Sequence, residues 1–128
     1  MAADAAEITQ GQWVTDFFRD ADKLDLPVMM RWFADDIDLR IANMPTVLGR
    51  AGAEQTFADF WSHLSGMSHQ CVELIVTGND AAQMAIVTYT RKDGKTVPLP
   101  VASHIRRNDD GKFTRLWIYI DIGPLFAD

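Results

Sequence analysis

Ala82-Gln83-Met84-Ala85-Ile86-Val87-Thr88-Tyr89-Thr90-Arg91, then Lys92-Asp93-Gly94, then Thr96-Val97-Pro98-Leu99-Pro100-Val101-Ala102-Ser103-His104-Ile105-Arg106-Arg107, is the stretch that decides the fold. Two long runs rich in β-branched residues flank a short polar segment that carries a glycine, which is the pattern of an antiparallel hairpin. The pattern continues on both sides. Four such runs, over 69–77, 82–91, 96–107 and 112–121, are separated by Gly78-Asn79-Asp80, Lys92-Asp93-Gly94 and Asn108-Asp109-Asp110-Gly111. The second half therefore reads as a four-strand meander.

The first half has a different period. Trp13, Val14, Phe17, Phe18 and Ala21 recur at spacings of one, three and four, which predicts a helix over Thr9–Ala21 with Thr9 at its cap. Asp25 and Pro27 suit the start of a second helix that carries Leu26, Met29, Met30 and Phe33 and ends near Ala34-Asp35. Ile37, Leu39 and Ile41 alternate with Asp38, Arg40 and Ala42 as in a half-buried strand that Pro45 closes. Ala53, Phe57, Phe60, Trp61 and Leu64 form the stripe of a third helix, with Gly66 as its stop. Helices grouped before a run of strands predict an α+β fold, with the helices on one face of a mainly antiparallel sheet. A strongly curved sheet wrapped around three helices makes a cone with one open end.

Composition bounds the function. A chain of 128 residues fits one domain over 1–128. Its 48% hydrophobic and 23% charged residues describe a globular protein and exclude disorder. The formal charge of −6 disfavours nucleic acid and anionic lipid as partners. Cys71 is alone, so no internal disulfide is expected. Met1 to Glu7 is acidic, without the apolar stretch of a signal peptide, and a cytoplasmic location is the expectation. No run is long and apolar enough for a membrane span.

Taken with Trp32-Phe33-Ala34-Asp35-Asp36, Gly49-Arg50, Asn108-Asp109-Asp110-Gly111-Lys112 and Tyr119-Ile120-Asp121, this order of elements resembles the nuclear transport factor 2-like superfamily from about Ile8 to Phe126. Within it the likeness is to SnoaL-like polyketide cyclases, ketosteroid isomerase and limonene epoxide hydrolase. The resemblance implies a cone-shaped α+β barrel, commonly a dimer, with an apolar pocket for a small molecule and no cofactor. Ketosteroid isomerase's tyrosine, aspartate base and aspartic acid fall on Phe17, Ile41 and Ser103, so that mechanism is absent. The epoxide hydrolase's tyrosine also falls on Ile41, its arginine and aspartate near Ile86 and Thr88, and its last aspartate on Ile118. Its asparagine is matched by Asn43 in Asn43-Met44-Pro45.

The residues left to carry chemistry are few. Asn43 fixes a ligand or bonds its own turn; Ser103, in phase with Val101 and Ile105, donates to a substrate or is a small core residue. His63 on the third helix could reach the cone mouth, and Asp121 is the nearest strand carboxylate in the second half. His63 and His69 lack metal-ligand spacing, so no metal is expected. Asp35, Asp36 and Asp38 read as a solvated run screened by Arg40. The pocket is expected to be lined by Trp13, Phe17, Phe33, Ile41, Asn43, Phe57, Trp61, Ser103 and Ile118. The uncovered sheet face, with Val87, Tyr89, His104, Arg115, Trp117 and Tyr119, is expected to bury a homodimer contact. Two functions remain open: a small-molecule cyclase, isomerase or dehydratase, and a non-catalytic binding or assembly module.

Overall fold

In the computed structural model, which describes residues 5–127, helix α1 (Ala5–Ala21) and a short α2 (Leu26–Met30) precede strand β1 (Phe33–Ile41). A two-residue β2 (Val47–Leu48) and helix α3 (Arg50–Trp61) follow. Then come the long strands β3 (Leu64–Thr77), β4 (Asp80–Arg91), β5 (Thr96–Arg107) and β6 (Phe113–Tyr119), and a closing turn of helix, α4 (Gly123–Phe126). The strands form one open sheet in the order β2-β1-β6-β5-β4-β3. All neighbours are antiparallel except β1 and β6. The α+β cone is therefore present, but its curved sheet is not closed into a barrel.

The hairpin signals act as read. Gly94 and Gly111 sit at φ +88° and +79°, where a side chain would be strained. Asp93 accepts from the Lys95 N–H at 3.1 Å, and Asn108 accepts from the N–H groups of Asp110 and Lys112 at 3.0 Å each. Asp25 caps α2 by accepting from the Val28 N–H.

Several boundaries differ from the sequence expectation. Thr9 lies inside α1 instead of capping it, and residues 1–4 at the acidic N-terminus lie outside the described residues. The second helix stops at Met30, because Trp32 turns out and its carbonyl accepts the Phe113 N–H at 2.7 Å. Phe33 thus begins β1 and pairs with Phe113 rather than ending a helix. Gly66 does not stop α3. Ser62 ends the helix with its hydroxyl on the Asp59 carbonyl, and Gly66 is a strand residue where an added Cβ would stand 3.2 Å from the Thr90 hydroxyl.

The core gathers where the parallel pair meets the helices. Phe113 is fully buried, and its ring lies 4.7 Å from Phe17, 5.6 Å from Trp32 and 5.7 Å from Trp13. The Trp32 indole donates to Asp20, which Lys23 also engages; these two bonds hold the Asp20 carboxyl below the usual range. No described helix is long and apolar enough to cross a membrane. Truncation of Phe113 to alanine removes the ring shared by α1, β1 and β6. Phe113→Ala is expected to cost about 3–5 kcal/mol of unfolding free energy in urea melts, and a loss below roughly 1 kcal/mol would contradict this placement.

Candidate functional site

Burial alternates along β4, with Ala81, Gln83, Ala85, Val87 and Tyr89 on the covered side. Their partners Ile105, Ser103, Val101, Leu99 and Val97 on β5 face the same way. Against this inner face, α1 and α3 close over an apolar cavity of about 50 Å³. Phe17, Phe18, Phe57, Phe60 and Trp61 supply the rings, and Met29, Ile41, Val101, Leu116 and Ile118 supply aliphatic walls. Besides the Trp61 indole, the lining side chains that carry polar atoms are His69, Tyr89 and Ser103.

His69 is held from two directions. Asp22, just past the end of α1, accepts the His69 backbone N–H through Oδ2 at 3.0 Å. Its Oδ1 lies 2.5 Å from His69 Nδ1. A carboxylate oxygen accepts, so Nδ1 is the donor of this bond and Nε2 is the ring's other nitrogen. The ring also packs on Phe18, 4.6 Å between centroids. The His69 side chain is 12% exposed and that of Asp22 25%, which places the imidazole in the wall and the carboxylate at the rim. Tyr89, across the β3–β4 ladder from Met67, has its phenol pushed up by burial, with the Asp22 charge adding to the effect. It therefore remains a neutral O–H donor at any ordinary pH. Ser103 is 5% exposed.

Of the expected lining residues, Phe17, Ile41, Phe57, Trp61, Ser103 and Ile118 meet at this cavity. Trp13 does not; it points along the flank of α1 to Phe113, under the Arg107 guanidinium at 4.3 Å. Phe33 is core between Phe57 and Phe113. Asn43 is exposed in the turn after β1, where the left-handed Ala42 and the Met44 N–H to Ile41 carbonyl bond direct it away. Asp121 is exposed and accepts from the Gly123 N–H at 3.0 Å, a local bond that starts α4. His63 is not on α3 but exposed in the turn between α3 and β3, because the helix ends at Trp61, and it packs against Phe126 at 5.3 Å. The candidate group that the sequence did not reveal is the Asp22–His69 pair, whose members are 47 positions apart.

The outer sheet face also needs a correction. Val87 and Tyr89 belong to the inner face, whereas Ile86 and Thr88 point outward, because the Tyr89–Val97 pairing fixes the parity of the hairpin. His104, Arg115, Trp117 and Tyr119 are outer, as expected. The Trp117 ring is sandwiched by Arg115 at 3.8 Å and Arg40 at 4.1 Å, and its indole N–H donates to Asp38. Partial burial opposes the Asp38 charge, but the Arg40 and Trp117 bonds outweigh it and lower the carboxyl. The His104 imidazole is pushed down by burial and by Arg115.

The fold, with its helix-covered cavity on the inner face of a curved sheet, is of the nuclear transport factor 2-like class. The profile of the SnoaL-like domain matches residues 14–116, and the chain belongs to that family. Among solved structures it is similar to TerC co-crystallised with polyporic acid, at 20% identity and TM-score 0.75 over 89% of this chain and 92% of the other. The epoxide hydrolase/cyclase-like enzyme SalBIII of pyran ring formation in salinomycin has TM-score 0.77 at 14% identity over 91% and 93%. An epoxide hydrolase of the limonene type from Mycobacterium tuberculosis has TM-score 0.73 at 14% identity over 87% and 81%. No curated protein matches the sequence significantly.

Asp22→Ala strips His69 of both bonds. It is expected to lower the unfolding free energy by about 2 kcal/mol and to shift the His69 ring ¹⁵N resonances, while the exposed His63→Ala changes stability by less than about 0.5 kcal/mol. An unchanged His69 tautomer in Asp22→Ala would show that the carboxylate does not set it.

Proposed function

We propose that this protein is an acid–base catalyst that moves a proton at a carbon next to a carbonyl in a mainly apolar small molecule. This is the elementary step of a cyclisation, isomerisation or dehydration. The observation that carries the reading is the Asp22–His69 pair on the wall of an otherwise apolar cavity.

Nε2 of His69 takes the proton, and the C–H electron pair becomes the carbon–carbon double bond of an enolate. Asp22 keeps Nδ1 protonated and stabilises the imidazolium that forms. The new charge on oxygen is met by a hydroxyl, and both Ser103 and Tyr89 present one to the cavity. Return of the proton to another carbon is isomerisation. Its delivery to a departing hydroxyl is dehydration, and attack of the enolate carbon on a second carbonyl is cyclisation. The apolar walls exclude water from these steps. The SnoaL-like family and a fold shared with a protein of pyran ring formation support small-molecule chemistry of this kind. A carboxylate base on β1 or β6 is not used, since Ile41 and Ile118 stand at those inner positions.

The test follows hydrogen–deuterium exchange at the α-carbons of 2-nonanone in D₂O by proton NMR. The protein is expected to accelerate exchange, and His69→Gln to lose about 10²–10⁴-fold of that acceleration. Ser103→Ala is expected to lower the rate without moving the melting temperature by more than about 4 °C. Exchange no faster than that of free imidazole at equal concentration would leave a binding module in place of an enzyme.

A further inference from the structure

The inner cavity, at about 50 Å³, is only a third of the roughly 150 Å³ void that holds benzene in an engineered protein core. It accommodates the reacting end of a substrate and not its body. A second, wider groove of about 440 Å³ lies outside it, between α3, the turn after β1 and the C-terminal segment. That volume falls within the ordinary range for small-molecule sites. The groove is walled by Leu39, Met44, Pro45, Val47, Ile122 and Phe126, all apolar. Its polar groups stand at the side: Thr56, already bonded to the Gly52 carbonyl, with Asp59 and His63.

Ile41 and Phe60 belong to both spaces. Ile41 is fixed by the sheet and 5% exposed. Phe60 is half-buried and meets Tyr89 on the cavity side at 5.9 Å and Phe126 on the groove side at 6.4 Å, edge to face with each. Phe60 is thus the half-buried ring shared by the two spaces, and its rotation is the movement that would join them.

We infer that the substrate is an elongated apolar molecule with one carbonyl end, seated with that end in the inner cavity and its apolar body along the outer groove, and that Phe60 is the gate between the two subsites. This inference rests on the acid–base reading of the inner cavity and adds the shape of the substrate to it. Phe60 is then a specificity residue. Long chains gain binding from the groove, whereas short ones fit the cavity alone.

The methionines report on both spaces, since Met29 and Met67 line the cavity and Met44 lines the groove. In protein labelled with ¹³C at the methionine methyls, 2-butanone is expected to shift Met29 and Met67, and 2-nonanone to shift Met44 as well. Affinity along the ketone series is expected to rise roughly four-fold per added methylene. Phe126→Asp is expected to bring the affinity for 2-nonanone down toward that for 2-butanone. Its spectrum without ketone shows whether it is folded, and the wild-type length series stands without it. A 2-nonanone response at Met29 and Met67 but not Met44, with no dependence on length, would overturn the two-part site and leave the acid–base reading intact. A response at Met44 alone would make the groove a separate site and overturn the inference. Silence of all three methyls would remove both readings.

Discussion

A sheet covered by helices on one face must place every second residue of each strand beneath them, and the other residues outside. This constraint organises the whole molecule. Once Tyr89 pairs with Val97 and Ser103 with Ile118, the inner face of three neighbouring strands is fixed residue by residue. A slip of one position would bury Thr88, His104 and Trp117 and expel Tyr89, Ser103 and Leu116. The apolar cavity, its two hydroxyls and the cation-stacked Trp117 on the opposite side are all consequences of that single parity. The turns that hold it are short and chemically specific, which is why they resist slipping.

Much of this was legible in the sequence, for a physical reason. Period and turn chemistry are local, and the Lys92–Gly94 and Asn108–Gly111 segments encode their own conformation. Ser103 was placed on the inner face by its phase with Val101 and Ile105, and the structure agrees. Alternation says which residues of a strand share a face, but not which face it is. Val87 and Tyr89 share a face, as their alternation indicates, but that face is the inner one, where their cross-strand partners Leu99 and Val97 are also buried. Asn43 and Asp121 sit at strand ends, where a polar side chain has a local backbone to serve, and each stays in its turn.

The Asp22–His69 pair was the least legible feature. Asp22 follows the last residue of α1, where it reads as a solvated helix terminus. His69 was assigned to the first residue of a strand that in fact begins at Leu64, so its inward phase with Met67 had no earlier residue to reveal it. Their meeting depends on how α1 lies across the edge strand. The missing Cβ of Gly11 allows that approach, since an added one would stand 2.9 Å from Leu74. An aspartate just beyond a helix and a histidine on a sheet edge become a candidate pair only when that crossing is known.

The division of labour between the two residues also has an electrostatic logic. A lone carboxylate base inside this cavity would have to give up its hydration with little in return, because the walls are almost entirely hydrocarbon. A neutral imidazole enters at much lower cost. Asp22 keeps its formal charge at the rim, where it is a quarter exposed and receives a backbone N–H as well as the ring. The charge therefore acts on the cavity through one ring and never has to enter it. When the ring takes a proton, the positive charge appears already paired, which is the moment at which a buried ion would otherwise be most costly. Burial keeps the Tyr89 phenol from ionising, and the same carboxylate adds to that effect. One residue thereby orients the imidazole on one side of the cavity and adds to the neutrality of the phenol on the other.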